Sequence, residues 1–160
     1  MQRGGRLLGI VDDRKVLLAS IGVRQNHDYR WEIVKLAVNP LYRGNGLAKQ
    51  ILNYAVNYCI HEMMKCRRKN ITLREGNSKD IDGNKGTIYL DTSSKLVEAI
   101  QLYLTFGFKI IKDSPQLGVT YNTADVYMER CLDLCEYDKN IDDDYFDQRR
   151  NQLHINHDSD

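Results

Sequence analysis

The chain has 160 residues, 42% of them hydrophobic and 28% charged, as expected of one globular domain with a real core. Its net charge of +1 excludes the strong basic field that extended nucleic-acid binding needs, and no apolar run approaches the ~20 residues that span a bilayer. Residues 131–160 hold nine acidic and three basic residues, so a tail at −6 follows a body at +7, a balance that suits a small anionic ligand.

In chain order, the polar, glycine-broken start from Met1 to Gly9 does not read as a secretory signal. Arg6 to Val11 predicts a strand. Asp12-Asp13-Arg14-Lys15 predicts a tight turn, and Val16 to Val23 the second strand of a hairpin. Gln25 to Asp28 reads as a polar connection. Arg30 to Val38 predicts a third strand, with Glu32, Val34, Leu36 and Val38 on one face and Trp31, Ile33, Lys35 and Ala37 on the other. Pro40 ends it.

From Gly44 to Cys66 the period turns helical, with a stripe of Leu47, Ile51, Tyr54, Ala55, Tyr58, Cys59, Glu62 and Cys66. Arg67, Arg68 and Lys69 close that helix as its dipole prefers. Asn70 to Gly86 reads as a long polar loop holding a short strand at Ile71-Thr72-Leu73. Thr87 to Asp91 predicts a strand. Ser93 or Ser94 caps a helix that runs to Thr105, and Gly107 ends it. Strands follow at Phe108 to Lys112 and Ala124 to Met128. Beyond Arg130 the chain is acidic, poor in apolar residues and expected to be disordered. Cys59 and Cys66 read as small helix-face hydrophobes, and Cys131 and Cys135 lack the zinc spacings, so no metal is expected.

The resulting order, β-β-β-α-β-α-β-β, opens with antiparallel hairpins and continues with crossovers. The fold class it implies is α/β, a mixed and mostly antiparallel sheet with helices on both faces. The domain is expected over residues 1–130 and an acidic tail over 131–160.

The most informative stretch joins the third strand to the first helix: Ala37-Val38-Asn39-Pro40-Leu41-Tyr42-Arg43-Gly44-Asn45-Gly46-Leu47-Ala48. Strand, glycine turn and helix N-terminus together present backbone N–H groups to a phosphate. Glycine allows close approach because no Cβ stands in the way.

The run from Glu32 to Ala48, EIVKLAVNPLYRGNGLA, resembles the central motif of the GNAT superfamily of acyl-CoA-dependent N-acetyltransferases. The run from Leu90 to Phe108, LDTSSKLVEAIQLYLTFGF, resembles its second motif and is closest in style to the camello-type branch. The resemblance covers roughly residues 6–130. It departs from the family pattern at Leu41, where Gln or Arg is usual, and in the long loop 70–86. It also departs at the start, where the usual strand and two helices do not precede the first hairpin.

The resemblance implies an acetyl-CoA co-substrate, with its pyrophosphate held by the backbone of Arg43, Gly44, Asn45, Gly46, Leu47 and Ala48. Leu36 and Val38 would offer backbone hydrogen bonds to the pantetheine arm, the Leu36 amide lying near the thioester oxygen. Glu32 would be the general base, its pKa raised by partial burial, and Tyr103 the acid that protonates the leaving thiolate. Read alone, Glu32 is equally a solvent-facing strand residue and Tyr103 a core residue. The function implied is transfer of an acetyl group to an amine of a protein or small molecule. The alternative is an acyl-CoA-binding domain without catalysis, or a fragment of one. The compartment expected is cytoplasmic or nuclear, with membrane association if an upstream segment precedes the chain. The acceptor and the oligomeric state stay open.

Overall fold

Six strands form one mixed sheet in the computed structural model, which describes residues 4–73, 84–112 and 124–137. The strands are β1 (Gly5–Val11), β2 (Leu17–His27), β3 (Arg30–Val38), β4 (Lys85–Thr92), β5 (Lys109–Ile111) and β6 (Val126–Asp133). Their spatial order is β1-β2-β3-β4-β6-β5. Among the described residues only β3 and β4 pair in parallel; the other neighbours are antiparallel. The helices are α1 (Leu47–Leu73), α2 (Val97–Thr105) and the single turn α3 (Leu134–Tyr137).

The first hairpin closes as its sequence predicts. The Asp12 carboxylate accepts from the amides of Arg14 and Val16, both at 2.9 Å, and so holds the turn that returns the chain into β2. β2 then runs to His27 instead of stopping at Val23. Its polar end is held by the ladder, where Arg24, Gln25 and His27 pair with Glu32, Trp31 and Arg30. At the tip, the Tyr29 carbonyl accepts from Thr87 N–H at 2.8 Å and ties the hairpin to β4.

α1 packs its length against the first four strands. Trp31 meets Tyr58 edge to face at 5.8 Å, and Leu8, Ile21, Val23 and Ile33 close the layer with Leu52, Ala55 and Met63. The buried arc is wider than the expected stripe: Leu52, Val56, Ile60, Met63 and Met64 are buried too, while Glu62 turns outward to Lys65. The helix also runs on to Leu73, through Ile71-Thr72-Leu73. Long-range contacts carry the extra turns. Arg67 donates to the Asn84 side chain at 3.2 Å and to Cys135 Sγ at 3.6 Å, and Asn70 donates to the Tyr29 hydroxyl at 2.9 Å.

Two further expectations are corrected. Neither Ser93 nor Ser94 caps α2, which starts at Val97 with no side-chain cap. Ser94 is engaged instead by Asp125, whose carboxylate accepts from its amide and its hydroxyl at 2.6 Å each. β6 extends to Asp133 because all eight residues of β4 find partners along it, and the Asp133 carboxylate then caps α3. Strand and helix thus continue past Arg130, through Tyr137; the remainder of the acidic tail and most of loop 70–86 lie outside the described residues.

Gly86, at the foot of β4, is a packing requirement. A Cβ there would stand 2.5 Å from Met63 Sδ and 3.3 Å from Leu134 Cδ2. Gly86→Ala is expected to cost about 1–3 kcal/mol by overpacking, read as a lower urea midpoint at unchanged m-value.

Candidate active site

The site grows out of the place where β3 and β4 part. Their pairing has three rungs, Arg30 with Thr87, Trp31 with Ile88 and Glu32 with Tyr89. Beyond Glu32 and Tyr89 the two strands have no common register. A cleft of about 580 Å³ opens there, walled by residues 33–38 of β3, by Asp91 and Thr92 of β4 with Ser93 just after it, and by one side of α2.

A bulge in β3 shapes the first wall. Ser20 pairs with Ala37 and Gly22 with Val34, so Lys35 and Leu36 together oppose Ile21. Lys35 takes a positive φ of 55° to achieve this. The expected alternation fails at this point. Val38 lies beside Ala19, on the side of Val23 and Ile33, not on that of Glu32. The bulge removes Leu36 from the β2 register and leaves it, with Val38, lining the cleft.

The far end of the cleft is the glycine turn. Asn39 starts it, its side chain accepting from Leu41 N–H at 3.1 Å and donating to Leu17 O at 3.3 Å. Asn45 braces it through a bond to Tyr42 O at 3.0 Å. Gly44 and Gly46 hold φ of +80° and +73°. Nothing lies within 4 Å of where a Cβ on either would stand. Gly46 O accepts the first bond of α1, from Gln50 N–H at 3.0 Å. The first turn of α1 carries no acidic side chain, so the start of a 27-residue helix faces this open cradle. Arg43, Gly44, Gly46, Leu47 and Ala48 all line the cleft; Asn45 is in the turn but not in the wall. Leu41 is 88% exposed beside it. An open, acid-free helix start, preceded by two left-handed glycines and with Arg43 in the turn, fits a diphosphate.

Tyr103 lies in the α2 wall, 6% exposed, with its ring edge to face on Phe108 at 5.9 Å. Burial alone pushes its hydroxyl up to about 12. The bonds that end α2 fix this pair, since Phe106 and Phe108 both donate to Tyr103 O, and Gly107 turns the chain at φ +80°.

Glu32 is placed differently from Tyr103. It is fully buried rather than partly, and it does not line the cleft. Arg24 binds its Oε2 through Nε at 2.9 Å and through a terminal nitrogen at 2.5 Å, and Asn26 reaches the same oxygen at 3.3 Å. Asn26 also donates to the Tyr89 hydroxyl, and Arg30 stacks over the Tyr89 ring at 5.0 Å. This network locks the last rung before the strands diverge.

Asp91 is the acidic residue of β4 in the cleft wall, partly buried, its carboxyl raised above the ordinary range chiefly by burial. In the sequence it falls within the second motif, where the resemblance assigns it no role. The available signal was an aspartate inside a strand, where Asp is depleted.

Three comparisons bear on this arrangement. The sequence profile of the acetyltransferase (GNAT) family matches residues 1–82, which reach through β3, the glycine turn and α1. Among solved structures, a GNAT-family acetyltransferase from Staphylococcus aureus Mu50 superposes with a TM-score of 0.59 at 22% identity, over 81% of this chain and 69% of that one. A putative acyl-CoA N-acyltransferase from Klebsiella pneumoniae gives 0.55 at 17% identity, over 80% and 72%. The spermidine N-acetyltransferase of Vibrio cholerae, solved with CoA and spermine, gives 0.52 at 18% identity, over 83% and 68%. At these identities the likeness is one of fold. A search of curated protein sequences returned no match.

Proposed function

Because the chain belongs to the acetyltransferase (GNAT) family, we propose that it transfers the acetyl group of acetyl-CoA to an amine by direct attack in a ternary complex. One observation carries this reading: the parting of β3 and β4 opens a single cleft that runs from the glycine cradle to a buried tyrosine. Backbone amides of Gly44 to Ala48 bind the diphosphate, with Arg43 adding charge. The bulged stretch around Leu36 holds the pantetheine arm and turns an amide toward the thioester oxygen. A carboxylate near the head of the cleft takes the proton of the attacking amine; the sequence assigns Glu32 to that step. Tyr103 protonates the departing thiolate. No metal enters this scheme. The acceptor is a small amine or a protein amino group. The neighbour named as a spermidine N-acetyltransferase makes spermidine the first to try.

A second reading, acyl-CoA binding without transfer, is favoured by the engagement of Glu32 with Arg24 and Asn26. Calorimetry with CoA tests what the readings share: saturable binding is expected, and no heat at millimolar CoA would sink both. Thiol release from acetyl-CoA with spermidine, a lysine peptide and a peptide with a free N-terminus separates them. Release above the amine-free background supports transfer, and binding without release supports the second reading.

A further inference from the structure

We infer that Asp91, and not Glu32, takes the proton from the attacking amine, and that Glu32 is a positioning residue. This rests on the acetyl-transfer reading above. A proton acceptor must come within hydrogen-bond reach of the amine, directly or through one water. Asp91 meets that demand by position: it lines the cleft, whereas Glu32 is sealed from it. Asp91 lies two residues beyond Tyr89 on β4, hence on the same side of the sheet as Tyr89 and Glu32. It is also past the last shared rung, so it stands where the strands have already parted. Tyr103 lines the same cleft, which puts an acid and a base in one chamber.

The chemistry of Glu32 points the same way. Two Arg24 nitrogens and Asn26 converge on one of its oxygens, so the buried carboxylate is engaged within the protein and is not presented to the cleft. What the network does is fix the Glu32–Tyr89 rung, and with it the point from which the cleft opens. Arg24 of β2 acts on Asp91 electrostatically, Tyr127 is its register partner on β6, and Lys35 of β3 with Glu98 and Tyr103 of α2 line the same cleft. Burial is the largest effect on the Asp91 pKa and raises it, while a backbone hydrogen bond and Arg24 lower it. A raised carboxylate is the stronger base near neutral pH.

The step balances. The amine nitrogen attacks the acetyl carbon and one of its protons passes to the Asp91 carboxylate. The C–S bond breaks, and the thiolate leaves with the Tyr103 hydroxyl proton. The proton on Asp91 returns through solvent to the tyrosinate, giving the amide, CoA thiol and the enzyme in its starting state.

The test compares kcat/KM of wild type, Asp91→Asn and Glu32→Gln across pH, with spermidine and the two peptides as acceptors. The ratio of wild type to Asp91→Asn cancels the acceptor's own ionisation. It is expected to be about 10² at neutral pH. It falls toward one as pH drops through the raised Asp91 pKa, because a protonated aspartate is no better than asparagine. Formate added to Asp91→Ala is expected to restore part of the turnover. Glu32→Gln is expected to lower thermal stability and to leave that pH limb in place. A pH-independent ratio, or a limb lost in Glu32→Gln and kept in Asp91→Asn, would overturn the assignment. If Asp91→Asn fails to fold, the absence of formate rescue in Asp91→Ala would overturn it. A wild type that binds CoA and releases no thiol with any of the three amines overturns the transfer reading, and this inference with it.

Discussion

Tyr103→Phe is expected to lower turnover by about 10²-fold while leaving the affinity for CoA within about twofold, the range that loss of a positioned general acid produces. The substitution isolates one atom. The ring contributes packing, because it is 6% exposed and meets Phe108 edge to face, and phenylalanine keeps that contact. In the proposed scheme the hydroxyl contributes the proton. Burial is the sole cause of its rise to about 12, so the proton stays on the oxygen throughout the neutral range and is present whenever a thiolate departs. The sign of the shift gives a second expectation. A group raised to about 12 loses its proton only in strong alkali, so Tyr103 puts no alkaline limb into kcat below about pH 10. Thiol-release kinetics with parallel calorimetry reads both expectations. Unchanged turnover would remove Tyr103 from the acid role. A proportionate loss of CoA affinity would make it a packing residue of the cleft wall.

The parts of the site legible in the sequence are those written in local chemistry. Pro40 stops a strand, Gly44 and Gly46 supply two left-handed positions, and a helical period starts at once; all three signals concern neighbouring residues. Tyr103 and Gly107 are likewise set within one helix and its end. What the sequence concealed depends on partners far along the chain. The tail of β2 and the last residues of β6 look polar, and ladder bonds to β3 and β4 make them strand. The final turns of α1 rest on Asn84, Cys135 and Tyr29. Ser94 carries the signature of a cap and is occupied instead by Asp125, 31 residues away. The bulge at Lys35 has no glycine, proline or asparagine to announce it, so residues 34–37 read as regular strand and the face of Val38 is misassigned. The burial of Glu32 follows from Arg24, its cross-strand partner, which becomes visible only once the hairpin register is known.

The Gly44→Ala, Gly46→Ala double variant is expected to fold and to bind CoA about 10²-fold more weakly. Both glycines sit at φ near +75°, and neither has an atom within 4 Å of the missing Cβ. Alanine there meets no steric wall, so the penalty is conformational, about 1–2 kcal/mol for each left-handed residue. An exposed turn escapes that cost in the free protein by relaxing to negative φ, which leaves the thermal midpoint little changed. Binding must then restore the left-handed pair, and the two penalties together amount to about 2–4 kcal/mol, or roughly 30- to 1,000-fold in Kd. The two methyl groups also enter the space left open for the diphosphate, which adds to the loss. The control is a ligand without phosphate. In the proposed scheme S-acetylpantetheine uses the bulged wall at Leu36 and not the cradle, so its binding or turnover should be nearly the same in the variant and the wild type. Equal losses for both ligands would mean that the turn supports the whole cleft and has no special part in holding phosphate. No loss for CoA would place the diphosphate elsewhere.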